Sequence, residues 1–267
     1  MTALTDGAVP LLHDCLLQSA VRLPNKVAVV CKGAHVSYGE VNAASNALAH
    51  ALVRRGVNRG DRVIVFADNT VEAAIAFWAV LKANAVVSVV NPLTKAEKLA
   101  YLLNDCRATA LITDAHLAGV YQAAVERSPH LHSVIVSGRP DEKSLSKLPG
   151  GIGWEAALAA EDHATPPVRA AIDVDLAAIV YTSGSTGDPK GVMLTHRNML
   201  TAATSVSSYL GLREDDVVLM VLPMAFDYGL YQMIMSFRVG ARLVIERSFT
   251  LIDHHGAALE LPAGPTT

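Results

Sequence analysis

The fold of this chain is decided by residues 62–113, RVIVFADNTVEAAIAFWAVLKANAVVSVVNPLTKAEKLAYLLNDCRATALIT. The apolar runs at 62–66, 85–90 and 109–113 are short and rich in β-branched residues, so they read as buried strands. Between them, 70–82 and 94–104 carry apolar residues at helical spacing. Strand and helix alternating at this interval predict a parallel sheet covered on both faces, because each parallel connection needs a crossover, usually a helix.

The pattern extends both ways. Downstream, 115–127 reads as a helix and 133–136 as a strand. Upstream, 11–22 reads as a helix, and 26–31 and 34–37 as a hairpin around Lys32-Gly33. Ser37 and Glu40 form a capping box opening a helix that ends near Gly56. Phe77 and Trp78 lie on an apolar helix and are expected in the core. Residues 1–137 therefore read as a first α/β subdomain. Residues 138–170 are rich in Pro, Gly and charge and read as a surface connection around a short amphipathic piece near Trp154. Residues 171–250 read as a partial second α/β subdomain, with strands at 177–181, 217–222 and 242–245 and helices at 198–210 and 226–238. Residues 251–267 read as an irregular tail; neighbouring His254 and His255 would point apart, so no metal pair is assigned.

Composition narrows the function classes. The chain has 267 residues, 51% hydrophobic and 18% charged, with net charge −3. It can bury a large core, and nothing marks polyanion binding as its main business, so no nucleic-acid partner is expected. Cys15, Cys31 and Cys106 show no metal-ligand spacing, which fits a reducing compartment. The most apolar stretch, 73–93, is interrupted by Lys82, Asn84, Ser88 and Asn91, so no membrane span is read. The start carries no secretory pattern, and a cytoplasmic location is the expectation.

The chemistry concentrates in Tyr181-Thr182-Ser183-Gly184-Ser185-Thr186-Gly187-Asp188-Pro189-Lys190-Gly191. Glycines permit tight curvature, four small hydroxyls supply donors, and one lysine supplies charge. Such a loop suits phosphate. It is not a Walker A loop, since Asp188 and Pro189 separate Gly187 from Lys190 and Gly191 follows the lysine. A plain P-loop phosphotransferase is therefore disfavoured. The loop is expected to join two strands, because GVMLTH alternates after it. A Ser/Gly-rich hairpin turn without a ligand is the plainer alternative.

The segment YTSGSTGDPKGVMLTHRN resembles the phosphate-loop signature of the adenylate-forming enzymes, which include acyl-CoA synthetases, nonribosomal peptide adenylation domains and luciferases. The pattern [ST]SG[ST]TGxPKG is matched at every position from Thr182 to Gly191. VVNPLTKAEKLAYLLNDCRATALIT and Val221-Leu222-Pro223-Met224-Ala225-Phe226-Asp227-Tyr228-Gly229 are similar to other characteristic stretches, and the likeness covers roughly residues 10–250. It implies an N-terminal adenylate-forming domain, stacked sheets flanked by helices, in truncated form. It also implies a two-step reaction: a carboxylate attacks the α-phosphate of ATP to give an acyl-adenylate, and a thiol of coenzyme A or a carrier protein displaces AMP.

Carried over by position, Thr182, Ser183, Gly184, Ser185, Thr186 and Gly187 would wrap the β- and γ-phosphates. Thr186 would also contribute to the Mg²⁺ shell, and Lys190 would neutralise the polyphosphate. Phe226 and Asp227 would line the acid pocket, with Asp227 pairing a substrate ammonium or simply favouring the start of a helix. His196 is expected to be structural. The family's adenine-stacking segment, its ribose-binding Asp and its C-terminal lysine domain have no counterpart in the sequence. The expectations are thus an incomplete ligase, or a non-catalytic or split-subunit phosphate-binding module. An exposed sheet edge at 217–222 and 242–245 would favour self-association.

Overall fold

In the computed structural model, residues 9–159, 161–182 and 188–246 and the strand residues 251–252 and 258–259 are described. The elements of the opening region run α1 (Asp14–Arg22), β1 (Val27–Cys31), β2 (Ala34–Ser37), α2 (Tyr38–Arg54), β3 (Arg62–Phe66), α3 (Val71–Lys82), β4 (Val86–Val90), α4 (Ala96–Asp105), β5 (Ala110–Asp114), α5 (Ala118–Val125) and β6 (Ser133–Ser137). The local signals act as expected. Lys32 and Gly33 both take positive φ, 49° and 77°, the left-handed pair that a two-residue hairpin needs. The Ser37 side chain accepts from the Glu40 amide and Glu40 accepts from the Ser37 amide, so both halves of the capping box are present.

Next come α6 (Glu142–Leu145), β7 (Gly151–Gly153), α7 (Trp154–Leu158), β8 (Leu176–Thr182), β9 (Lys190–Thr195), α8 (His196–Tyr209), β10 (Val217–Met220), α9 (Asp227–Val239) and β11 (Arg242–Ile245). Two strands of the tail, β12 (Leu251–Ile252) and β13 (Ala258–Leu259), pair antiparallel. At two residues each they are too short to leave a period in the sequence, so this region differs from the irregular tail expected.

Two larger sheets organise the molecule. One has seven strands in the order β7-β6-β5-β3-β4-β8-β9, all parallel except the β8–β9 pair. The other has the order β10-β11-β1-β2. The strands do not sort by the expected division at 137 and 171. β8 and β9 join the sheet of β3–β6, while β1 pairs with β11 in register Val29↔Leu243. The connection at 138–170 is also more than surface: β7 extends the large sheet beside β6, and Trp154 is buried. Its strand is three residues long with glycine at both ends, which hides it from a pattern reading.

The inner strands of the large sheet, β3 to β6, are buried on both faces, whereas the edge strand β9 is largely exposed. Val63 and Val65 of β3 point into the core shared with the small sheet, together with Leu48, Trp78, Val29 and Leu243. Ile64 and Phe66 point the other way, against Leu99, Leu103, Leu111 and Tyr121. Between the sheets, Trp78 tilts against Phe237 at 5.2 Å and Phe237 meets Tyr38 edge-on at 5.3 Å. The Tyr38 hydroxyl donates to the Ala241 carbonyl at 2.6 Å, which satisfies the one polar atom of that buried ring.

Candidate functional site

The large sheet reverses its winding between β4 and β8. After β4 the chain returns across β3 to form β5, whereas after β8 it moves outward to β9. Crevices outside the carboxyl ends of such a strand pair are the usual ligand sites of open α/β sheets. A cleft of about 540 Å³ lies there. Val89, Val90 and Asn91 line it from β4 and beyond, Leu93 to Lys95, Glu97, Lys98 and Leu102 from the start of α4, Tyr181, Thr182 and Pro189 from the phosphate-loop segment, and Ala225 and Phe226 from the entrance to α9.

The loop segment does join two strands. β8 and β9 are antiparallel, and Thr182 pairs with Lys190 across the ladder, closing the loop between them. Ser183, Gly184, Ser185, Thr186 and Gly187 lie outside the described residues. Both flanks are held by one helix. From α4, Asp105 accepts a 2.5 Å hydrogen bond from the Tyr181 hydroxyl, and the Tyr101 hydroxyl donates to the Pro189 carbonyl at 3.3 Å. Burial pushes the Tyr181 phenol upward, and the Asp105 carboxylate adds to that, so it stays a donor. Sequence reasoning missed both anchors. The available signal was their spacing of four, which sets two polar side chains on one face of α4. Gly191 is required for packing: a Cβ there would stand 2.7 Å from Ile179 Cγ2 and 3.3 Å from Tyr181 Cε1.

The cleft carries both signs of charge, with Glu97 between Lys95 and Lys98 and Lys190 outside its lining. Lys95 and Lys98 are exposed at its mouth and form no ion pair among the described residues. α4 begins without a side-chain cap, and the partial positive charge of its first amides is offset by Glu97 in the first turn. Lys190 is exposed at the start of β9. Among the described residues, no group of three or more His, Cys, Asp and Glu is gathered for a metal. The Mg²⁺ expectation rests on Thr186, outside those residues.

Phe226 is half exposed at the cleft and serves as the N-cap of α9. Asp227 is the first residue of α9, exposed, and its carboxylate accepts from the Tyr228 amide at 2.8 Å. It has the position that suits a carboxylate at a helix start. His196 is buried and its Nδ1 accepts from the Leu12 amide at 3.2 Å. Burial lowers its pKa to about 4. It is neutral and structural, while the next helix is capped by Thr195 with Asn198.

The AMP-binding enzyme model matches residues 16–261, and the chain belongs to that family of adenylate-forming ligases. Members use ATP to activate a carboxylate, typically with Mg²⁺. Among curated relatives, the chain is 33% identical to 4-coumarate–CoA ligase 5 of Oryza sativa subsp. japonica, over 96% of this chain and 48% of that protein. It is 34% identical to the phosphinothricin tripeptide synthetase PhsC of Streptomyces viridochromogenes, over 90% of this chain and 20% of that protein. The crystal structure of the anthranilate CoA ligase AuaEII in complex with anthranoyl-AMP shares the fold, with a TM-score of 0.84 at 24% identity, covering 94% of this chain and 47% of that one. The chain thus spans half or less of the length of these relatives. Among the described residues no helix is long and apolar enough to cross a membrane.

Proposed function

We propose that this chain supplies the phosphate-gripping and acid-facing half of an AMP-forming acid–thiol ligase of the acyl-CoA synthetase kind. The observation that carries this reading is the β4/β8 cleft. It places the flanks of the phosphate loop, Thr182 and Pro189, around one space with Ala225 and Phe226. In this reading residues 182–187 wrap the β- and γ-phosphates, Thr186 joins the Mg²⁺ shell, and Lys190 neutralises the polyphosphate. Phe226 and Asp227 face the acid. Two anions must approach each other in adenylation, and charge then moves onto pyrophosphate, so positioning and electrostatic stabilisation do most of the work. The thiol acceptor is coenzyme A or a carrier-protein phosphopantetheine. Three buried cysteines without a disulfide suit a reducing, cytoplasmic setting.

A second reading is a split-subunit phosphate-binding module completed by another polypeptide. It is favoured by the edge strand β10, where Val217 and Leu219 are 58% and 54% exposed. Self-association through that edge would also cover it. ATP–pyrophosphate exchange across fatty, aryl and amino acids separates the two. Acid-dependent exchange that Lys190→Ala weakens supports the ligase. A folded chain that binds ATP without exchange supports the module.

A further inference from the structure

Asn69 lies three residues beyond β3 of the large sheet, yet its side chain grips the loop that follows β10 of the small sheet. Its Nδ2 donates to the Leu222 carbonyl at 2.9 Å, and its Oδ1 accepts from the Met224 amide at 2.9 Å. A primary amide offers a donor and an acceptor in one plane, which is what a backbone segment needs to be held at two points. The gripped segment follows β10 and continues into Ala225 and Phe226 at the cleft.

The opposite side of the same segment is fixed by close approach. A Cβ on Gly229 would stand 2.5 Å from the Pro223 carbonyl oxygen and 2.7 Å from that of Leu222, so the first turn of α9 lies directly against it. The Phe226 amide also donates to the Pro223 carbonyl at 3.0 Å, closing a turn that sets where the phenyl ring leaves the backbone. Asn69 itself is held on both sides in sequence. Asp68 pairs with His116 at 3.2 Å, and Thr70 caps α3 by accepting from the Ala73 amide at 3.2 Å.

We propose that Asn69 is a positioning residue for the Phe226 wall of the cleft, fixing its distance from the wall formed by Val89 to Lys98. Resting on the reading of that wall as the acid-facing one, Asn69 governs fit for the acid and leaves ATP binding alone. Removing the bracket frees the 222–226 segment without touching the phosphate loop.

The test uses the full chain with Asn69→Ala and Asn69→Asp. Amide hydrogen exchange is read at Met224 and through α3 and α9. In Asn69→Ala, Met224 is expected to lose about tenfold in protection, the scale of one lost hydrogen bond to a part-buried group, while α3 and α9 keep theirs. Asn69→Asp keeps the acceptor for the Met224 amide but sets an acceptor-only oxygen against the Leu222 carbonyl, so its Met224 protection should fall between wild type and Asn69→Ala. Unchanged Met224 exchange in Asn69→Ala, or a loss spread evenly over α3 and α9, overturns the proposal. Where the wild-type chain supports pyrophosphate exchange, Asn69→Ala should raise the half-saturating acid concentration about tenfold at an unchanged ATP requirement; equal shifts in both also overturn it. No exchange by the wild type shows that this half does not adenylate by itself, and hydrogen exchange still decides whether Asn69 holds the wall.

Discussion

The two sheets solve the same problem with unequal success. In the large sheet, β3, β5 and β6 are covered on both faces, and Val63 to Phe66 have no exposed surface. In the small sheet, β1 is sheltered between β2 and β11, but the outer strand β10 alternates exposed and sheltered positions over a length of four residues. Helices on both sides cover the inner strands of the large sheet, while its edge strand β9 stays exposed. The small sheet relies on neighbours at a distance in sequence, and its outer edge has none among the described residues. The stability of the molecule should therefore be concentrated in the large sheet and in the layer between the two.

The sharpest way to break that contrast is to empty the shared layer. Trp78→Ala removes a fully buried ring that touches Phe237, and is expected to cost about 3–5 kcal/mol in urea unfolding. Both sheets should then lose protection together; loss in only one would show that they are not coupled through this ring.

Acid probes the same contrast from the other end, where α8 meets the segment before α1. The pKa of His196 is about 4 in the fold against 6.5 for an ordinary histidine, because burial disfavours its charge. A lowered histidine pKa leaves full stability above about pH 6.5, and between there and pH 4 the unfolded chain binds the extra proton. Stability should fall through that window by on the order of 3 kcal/mol from His196. Burial lowers His13 in the same direction. His196→Gln, which keeps an acceptor for the Leu12 amide, should flatten the slope between pH 6.5 and 4 in a denaturation series.

A smaller effect is expected at the seam between β8 and β9. Gly191→Ala forces a methyl against Ile179 and Tyr181, for a loss of about 1–3 kcal/mol. Tyr181 flanks the 183–187 loop, so on the proposed reading ATP affinity measured by calorimetry should fall with it. The least effect belongs to the edge. Leu219→Lys places a charge on an exposed strand position and should change stability by no more than about 0.5 kcal/mol. It should lower association in analytical ultracentrifugation if β10 is the sticky edge. The same substitution at Ile64 should abolish folding, which a circular dichroism spectrum would show.

Local signals were legible and pairing partners were not. Lys32-Gly33 and the Ser37–Glu40 box declare a turn and a helix start because each acts over two to four residues. The runs of β3 to β6 declare burial on both faces. Nothing in the residues of β1 says that its neighbour is β11, so division of the chain into consecutive subdomains follows from sequence order and fails in space. At the candidate site, the glycines, hydroxyls and lysine of 181–191 could be read directly. Tyr101, Asp105 and Asn69 could not, because their roles depend on contacts with Pro189, Tyr181 and Leu222, set by the packing of α4 and by the meeting of the two sheets.

The pairing of β1 with β11 also orders events in time. The β1–β2 hairpin is made well before β11, and two strands alone are marginal in water. Its parallel partner, in register Val29↔Leu243, follows only after the whole of the large sheet in sequence. Closing a loop that spans nearly the whole chain is slow, and the hairpin's apolar face stays open meanwhile. The small sheet can therefore be completed only after the strands of the large one have been made, and until then the chain is open to misassociation at Val27–Cys31.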